Sequence, residues 1–343
     1  MREKIENLSK KHLKLLTQLS VFGNESTSIA LFIDYFGLHD EQEKNIILEV
    51  IYDLSTEGLV KLSQEKFEVM PDVQDFLFEK YPPNVNNCRV FIEFYMDMLH
   101  PPMLDTLPPE EEQMLHKVLS RITGYSSELA MLTDFYAQYL LSEKDYKSSV
   151  NFFQLALEIQ SKANPSDVLM CNFYNHLAES YLANKDYDKA IDVTFKSVHL
   201  AYNLQRKDMI VLVYSFSLIS TIYFRQKSYD LSYEYSLKAI EIAKEKEFDD
   251  LLLANLYYEA SISATKAKDS VGAVDFIAKS YKTLMKLPSN SRDSRLLEKI
   301  NLHQQYLSLL KKIDNSFLRY FKSYYIYIVL FIVVLLIVFL LSI

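Results

Sequence analysis

One unit occurs four times in the sequence, and this repetition restricts the chain to a narrow class of folds. Its copies contain the segments SEKDYKSSVNFFQLALEI, ANKDYDKAIDVTFKSVHLA, RQKSYDLSYEYSLKAIEIA and KAKDSVGAVDFIAKSYKTL. The alignment places Ser149, Ala190, Ser232 and Ala273 in register, with offsets of 41, 42 and 41 residues. Units of this length stack on their neighbours and bury a continuous core. We therefore expect an α-helical solenoid over residues 126–287.

Each copy combines two helices and a short polar turn. The turn contains Lys-Asp or Lys-Ser, and the second helix begins directly after it. Small residues recur where the two helices would cross closely. They are Ala137, Ala178, Ser220 and Ser261 in the first helices, and Ala156, Ser197, Ala239 and Ser280 in the second helices. A large side chain at these positions would clash with the neighbouring helix.

The second copy carries residues that match a known consensus. Its aromatic, Leu, small, Tyr, Ala and small positions are Tyr174, Leu177, Ala178, Tyr181, Ala190 and Ser197. About residues 130–287 therefore resemble the tetratricopeptide repeat family. The period is longer than that family's usual length of about 34 residues and resembles a variant of about 42 residues seen in kinesin light chains and bacterial regulators. The proline that usually ends the unit is absent.

The resemblance implies a concave groove lined by the first helix of each repeat, and this groove would bind a protein or peptide partner. The corresponding positions are Asp134, Gln138, Asn172, Asn175, Glu179, Tyr214, Ser217, Thr221, Phe224, Arg225, Asn255, Tyr258 and Lys266. Repeats of this family that clamp a chaperone tail use Lys and Asn at two of these positions, and pairs such as Asp134 and Gln138 do not match. The alternative for each single side chain is simple solvation.

Residues 1–82 have a different pattern. Three amphipathic helices are expected, and the third begins at an Asp40 cap and ends at Gly58. A hairpin follows, formed by LVKLS and KFEVM around a polar turn. Its apolar residues alternate with polar neighbours and are Val60, Leu62, Phe67 and Val69. Three helices and a hairpin are the order of a winged-helix domain.

The segments LTQLSVFGNESTSIALF, EGLVKL and FEVMPDVQDFLFEKY resemble the winged-helix module of signal-transducing regulatory ATPases, in which tetratricopeptide arrays often come next. No G-x-x-x-x-G-K-[ST] motif is present, so the ATPase core would be lost or lie on another chain. The third helix is acidic, and phosphate repulsion argues against DNA binding. Its charged residues are Asp40, Glu41, Glu43, Glu49, Asp53 and Glu57 against Lys44.

Two further segments link these parts to the end of the chain. Residues 82–109 contain three Pro-Pro pairs, and residues 83–125 contain two expected helices, which would connect the winged helix rigidly to the repeats. Residues 288–316 read as a capping helix with a polar outer face, which the end of a solenoid needs.

Residues 324–343, YYIYIVLFIVVLLIVFLLSI, contain no charged side chain. Twenty residues at about 1.5 Å each match the roughly 30 Å hydrocarbon core of a bilayer. Basic residues precede this segment and none follows it, which indicates that residues 1 to about 320 face the cytoplasm. We expect a transmembrane helix that serves as a C-terminal tail anchor. The alternative is a chain cut just after a membrane span.

The remaining residues predict neither an enzyme nor a cofactor or metal site. The formal charge of −8 argues against general affinity of the body for nucleic acid or anionic lipid, whereas basic residues near the anchor could still touch head groups. Cys88 and Cys171 stand far apart and are expected to be reduced thiols. His176 and Glu179 share a helical face and could begin a metal or acid–base site, but the sequence offers no third ligand.

The sequence therefore predicts a membrane-anchored, cytoplasm-facing adaptor that recruits a protein partner through its repeats. Its fold class would be all-α, with a winged-helix domain, a tetratricopeptide-like α-solenoid and one C-terminal transmembrane helix. Two alternatives stay open, a membrane-tethered transcriptional or signalling regulator and the sensor half of a split regulatory ATPase. Self-association into a homo-oligomer also stays open.

Overall fold

The computed structural model describes residues 1–312, except residues 23–26, 36–39, 65, 87, 100–106, 108, 166–167 and 205–208. The expected transmembrane helix at 324–343 lies outside these described residues. Among the helices that are described, none is both long and apolar enough to span a bilayer. The chain divides into two compact units, Met1–Lys207 and a second unit that begins at Asp208. We refer to them as unit 1 and unit 2.

Unit 1 begins with helices and a small antiparallel sheet. The elements are α1 (Arg2–Glu6), α2 (Lys10–Val21), β1 (Thr27–Ser28), α3 (Ile29–Tyr35), α4 (Glu41–Thr56), β2 (Val60–Ser63), β3 (Lys66–Val69) and α5 (Pro71–Lys80). The strand order is β1-β3-β2, and Val60 pairs with Val69. Phe32 and Phe67 are both fully buried, with ring centroids 5.6 Å apart. These aromatic side chains join the sheet to the helices.

The start and end of α4 agree with the sequence. The Asp40 carboxylate accepts a hydrogen bond from the backbone N–H of Gln42 at 2.7 Å, which satisfies one of the free donors of the first turn. Gly58 follows the helix with φ +71°, the left-handed conformation that glycine adopts without strain. The expected hairpin is present, but Leu62 near its tip is 37 % exposed although it pairs with the buried Phe67. Strand β1 was not expected.

Helices α6 (Arg89–Leu99) and α7 (Pro109–Leu119) contact elements that precede them in the chain and the repeat that follows them. The Phe91 ring of α6 lies 5.7 Å from the Phe22 ring, and Lys117 of α7 forms an ion pair with Asp75 of α5 at 3.3 Å. The Tyr136 hydroxyl, in the first repeat, donates to the backbone carbonyl of α7 at 3.3 Å. Helices α6 and α7 are therefore packed within unit 1, which continues through two repeats to Lys207.

Eight helices form the four repeats. They are α8 (Ser127–Ser142), α9 (Tyr146–Ala163), α10 (Val168–Ala183), α11 (Tyr187–Asn203), α12 (Met209–Arg225), α13 (Tyr229–Glu245), α14 (Asp250–Lys266) and α15 (Ser270–Lys286). Unit 1 holds α8 to α11 and unit 2 holds α12 to α15. Residues 294–312 form a further helix, α16, up to the last described residue.

The turn inside each repeat uses a lysine in the left-handed conformation. The residues are Lys144, Lys185, Lys227 and Lys268, with φ between 63° and 68°. The next residue donates its N–H to a carbonyl five positions earlier, as Asp186 does to Tyr181 at 2.9 Å. This bond ends the first helix in the manner of a Schellman motif, whose left-handed position usually holds glycine.

A glycine at such a turn should stabilise the protein. We expect Lys185→Gly to raise the free energy of unfolding by about 0.5–1 kcal/mol, because it removes the left-handed strain of a residue with a Cβ atom. Lys196→Gly, at an exposed position inside α11, should lower it by about 1 kcal/mol. Urea unfolding of the two variants checks this. Equal effects of the two substitutions would contradict the strain argument.

The small residues lie where the helices touch, as the sequence predicted. All eight are at most 3 % exposed. Where the residue is serine, its hydroxyl donates to a backbone carbonyl of the neighbouring helix, as in Ser220 to Ser232 at 2.7 Å and Ser280 to Ala254 at 2.7 Å. A hydroxyl this short reaches a backbone only when the two helices approach closely.

Enlarging one of these side chains should destabilise unit 1. We expect Ala178→Leu to lower the free energy of unfolding by about 1–3 kcal/mol, since Ala178 is fully buried and a larger side chain must separate the helices. Ala183→Leu, at the exposed end of the same helix, should change it by less than about 0.5 kcal/mol. Denaturant unfolding monitored by circular dichroism measures both. A small effect of Ala178→Leu would show that the contact is looser than described.

The outer face of the capping helix, which was expected to be polar, exposes polar side chains together with an apolar stripe. The buried face of α16 contains Leu296, Ile300 and Leu307, which pack against α14 and α15. The opposite face exposes three apolar side chains at helical spacing. They are Leu302, Tyr306 and Leu309, with exposures of 58, 45 and 55 %. The helix therefore carries two apolar stripes, one buried and one exposed.

Candidate first-helix interaction face

The structure places the thirteen groove positions in different environments. Asp134 and Asn175 are buried, at 1 and 0 % exposure, so these two do not line an open surface. Gln138, Asn172, Glu179, Ser217, Thr221, Phe224, Asn255 and Tyr258 are partly buried, and Tyr214, Arg225 and Lys266 are exposed. The accessible part of the predicted face therefore lies mainly on α12 and α14 of unit 2.

In unit 1 the first helices of two repeats are joined by a buried polar cluster. The Asp134 carboxylate of α8 accepts from Nδ1 of His176 on α10 at 2.9 Å and from Nε2 of Gln138 at 2.7 Å. The side chain of Asp134 is 1 % exposed and that of His176 is 24 % exposed. A buried carboxylate is stable only with such partners, so the cluster fixes the register of α8 against α10.

The cluster shifts the pKa of His176. Burial lowers the pKa of the imidazole, whereas the Asp134 carboxylate, through its charge and its hydrogen bond, raises it, and Glu179 adds to this rise. The net effect is a raised pKa of His176. The protonated imidazole is therefore the form that the native structure favours.

In unit 2 the same two repeat positions hold different residues. Ser217 and Glu259 stand 83 residues after Asp134 and His176, respectively. The Ser217 hydroxyl donates to Oε2 of Glu259 at 2.7 Å and thereby joins α12 to α14. Burial raises the pKa of Glu259, while this hydrogen bond and the charge of Lys299 on α16 lower it, and the net pKa is raised.

Helix α16 completes the face beside α14. The His303 ring lies 6.2 Å from the Tyr258 ring and 6.0 Å from the Tyr306 ring, and its Nε2 is 3.2 Å from the Thr265 hydroxyl. Burial lowers the pKa of His303, against a backbone hydrogen bond at Ser261 that raises it. Tyr258 is thus partly covered, and Tyr214 at 41 % exposure is the more accessible aromatic side chain.

Within the described ranges, His, Cys, Asp and Glu side chains form no group of three that could hold a metal ion. Burial raises the pKa of the Cys88 thiol to about 12, so it stays protonated at neutral pH.

The second partner in each of these contacts was not predicted from the sequence. His176 was considered only with Glu179, and Glu259, Lys299 and His303 were not assigned to the face. The repeat register predicts His176 and Glu259, because each lies 42 residues after its partner, Asp134 or Ser217. Lys299 and His303 depend on how α16 packs, which no repeat position predicts.

The comparisons with known proteins identify a fold. No family model matches the chain, and neither does any curated protein. The crystal structure of the apo form of RapI is similar with a TM-score of 0.55 and 14 % identity, covering 73 % of this chain and 67 % of that chain. At this identity the likeness shows the fold alone. Together with the paired helices described above, it shows a TPR-like helical repeat fold.

Two further similarities are weaker. A protein of Podosopora anserina with nearly identical TPR-like repeats, described as kinesin light chain, has a TM-score of 0.47 and 12 % identity over 60 % of this chain and 97 % of that chain. A STAND protein of Pyrococcus horikoshii with a tetratricopeptide repeat sensor has a TM-score of 0.39 and 15 % identity over 91 % of this chain. This chain spans 50 % of the length of that STAND protein.

The Asp134–His176 contact should make stability depend on pH. A raised native pKa gives a contribution that is complete below the unfolded value of about 6.5 and is lost as pH rises through the native pKa of His176. Asp134→Asn should reduce this loss and lower the pKa of His176. Urea unfolding between acidic and alkaline pH, with an NMR titration of the imidazole, measures both.

The exposed Asp192 of α11 offers a matched control. Asp192→Asn should leave the NMR titration of His176 unchanged. An equal shift of that titration in both variants would attribute the pKa to general charge and not to the direct contact.

Proposed function

We propose that this protein is an interaction scaffold, held on a membrane by residues 324–343, whose first-helix face in unit 2 binds a segment of a partner protein. The single observation that carries the proposal is the exposed aromatic and cationic surface on paired helices of a TPR-like fold. On α12, Tyr214 and Arg225 are exposed and Ser217 and Thr221 lie at helical spacing between them. Tyrosine and arginine are the residue types that most often dominate binding energy at interfaces.

The polar contacts beneath this surface support a preformed binding face. Ser217 and Glu259 join α12 to α14, and His303 joins α14 to α16. Because these bonds fix three helices next to one another, a partner segment would bind without first ordering the face. Preorganisation of this kind raises affinity by reducing the entropy lost on binding.

We further propose that residues 1–82 are a winged-helix module that contacts protein. The order of a helix, a short strand, two helices and a hairpin, with strand order β1-β3-β2, supports the assignment. Helix α4 is acidic and also exposes Leu48 at 37 % and Tyr52 at 64 %. Lys61 on the hairpin forms an ion pair with Glu68 at 3.5 Å, which leaves less positive charge for phosphates. These features favour a protein partner over DNA.

Membrane attachment is the remaining part of the proposal. Its support is the uncharged apolar sequence of residues 324–343, preceded by basic residues. The described body would face the cytoplasm. Anchoring would confine a bound partner to two dimensions and raise its effective concentration there without a new contact.

The first-helix face can be tested with a pair of tyrosines of similar exposure. Tyr214 on α12 is 41 % exposed, and Tyr281, on the second helix of the last repeat, is 39 % exposed. We expect Tyr214→Ala to reduce recovery of the partner by about tenfold or more, since loss of a dominant interface residue weakens binding by at least about 1.4 kcal/mol. Tyr281→Ala should leave recovery unchanged.

The measurement is affinity capture of the full chain from detergent-solubilised membranes, with cross-linking and mass spectrometry. Cross-links from α12 and α14 to one reproducible protein, reduced by Tyr214→Ala alone, would support the proposed face. Equal recovery with both variants would reject it. Preferential recovery of duplex DNA through residues 1–82 would favour a tethered regulator instead.

A further inference from the structure

Three lysines of unit 2 surround one open cavity. The turn between α12 and α13 and the turn between α14 and α15 lie at the same edge, because consecutive helices run in opposite directions. The cavity between them measures about 520 Å³ and is lined by Lys227, Lys266 and Lys268 among others. We call this surface, with Arg225, Lys311 and Lys312, the basic edge.

The basic edge carries more cations than carboxylates. None of its six cations has an ion pair within the described part of the chain. The neighbouring carboxylates are Asp230 and Asp269, and the latter already accepts from the backbone N–H of Gly272 at 2.9 Å and from the Tyr233 hydroxyl at 3.2 Å. The whole chain carries a formal charge of −8, so this local positive surface opposes the general sign.

Helix α16 brings the chain to this edge. The charge of Lys299 lowers the pKa of Glu259, and Nε2 of His303 lies 3.2 Å from the Thr265 hydroxyl. Because both contacts follow the same order along the two helices, α16 runs in the same direction as α14. Helix α14 ends at Lys266, next to Thr265. Residues 311 and 312 come eight and nine positions after His303, which places them about 12–14 Å beyond it on the side of the basic edge.

The apolar segment follows α16 after a short stretch of chain. Eleven residues, 313–323, separate α16 from residue 324. Whatever their conformation, they reach at most about 40 Å. The basic edge is therefore within reach of a membrane that holds residues 324–343, and α16 leads the chain towards it.

We infer that the basic edge binds the anionic head groups of the membrane that holds residues 324–343. This inference rests on the membrane attachment proposed above. Each lysine near an anionic bilayer surface favours the bound state by about fivefold, which corresponds to about 1 kcal/mol. The cavity between the turns gives a phosphate or carboxylate head group access to Lys227, Lys266 and Lys268 together.

The test uses the full chain in vesicles and a reporter at the basic edge. The native cysteines are buried, at 2 % for Cys88 and 0 % for Cys171, so an introduced Ala267→Cys can be labelled selectively with an environment-sensitive fluorophore. Vesicles of phosphatidylcholine are compared with vesicles that contain about 30 % phosphatidylserine, each with a quencher on a head group. We expect stronger quenching in the anionic vesicles and its loss at high salt.

A triple substitution identifies the lysines. K227Q/K266Q/K268Q should lower the ratio of docked to undocked protein by about 100-fold, from about fivefold for each lysine. The matched control is K244Q/K246Q/K286Q, which removes the same charge near the opposite ends of the helices of unit 2. Circular dichroism of both variants verifies the fold. Equal quenching with both triple variants, or no difference between the two lipid compositions, would overturn the inference.

Vesicle flotation separates this inference from the proposed anchor. Flotation with neutral and anionic vesicles together, without a lipid-dependent quenching signal, would retain the anchor and overturn the basic edge. Flotation only with anionic vesicles, abolished by K227Q/K266Q/K268Q, would support the basic edge and reject the anchor. Absence of flotation with either vesicle type would reject both.

Discussion

The close approach of two helices within each repeat is the constraint on which the described repeats depend. Backbones this near require Ala or Ser at the crossing, and all eight such positions are at most 3 % exposed. Serine adds a bond from its hydroxyl to the opposite carbonyl, as between Ser261 and Ala273 at 2.7 Å. A solenoid contains few contacts between distant segments, so its stability depends on these local interfaces. The left-handed lysines at the turns belong to the same constraint, since they direct the second helix back along the first.

Once the helices are spaced by small residues, one repeat position carries the polar contact between neighbouring first helices. Unit 1 fills it with Asp134 and His176, and unit 2 with Ser217 and Glu259. The two pairs differ in charge, so the pKa of each titratable member is raised for a different reason, the negative charge of Asp134 for His176 and burial for Glu259. The repeated contact therefore positions helices in both units, while its chemistry predicts a response to pH in unit 1.

The sequence predicted the repeat fold well because its signals are local. Register, small residues and the turns of the repeats depend on spacing along the chain, and so do the Asp40 cap and Gly58. Contacts between distant segments were harder to predict. Asp134 and Asn175 are buried by such contacts, and the sequence assigned both to an open groove. Helix α16 has two apolar stripes, and periodicity alone does not decide which one is buried.

The inferred basic edge would also orient the proposed partner-binding face of unit 2 relative to the membrane. Helices α12 and α14 both end at that edge, so their axes point towards it. If head groups bind the edge, the axes of α12 and α14 lie at a large angle to the membrane plane. The face that contains Tyr214 then points parallel to that plane. A tail anchor alone would leave the body free to rotate. The acidic remainder of the chain would be repelled by an anionic surface, which reinforces one orientation. A partner moving along the membrane would then meet the face directly.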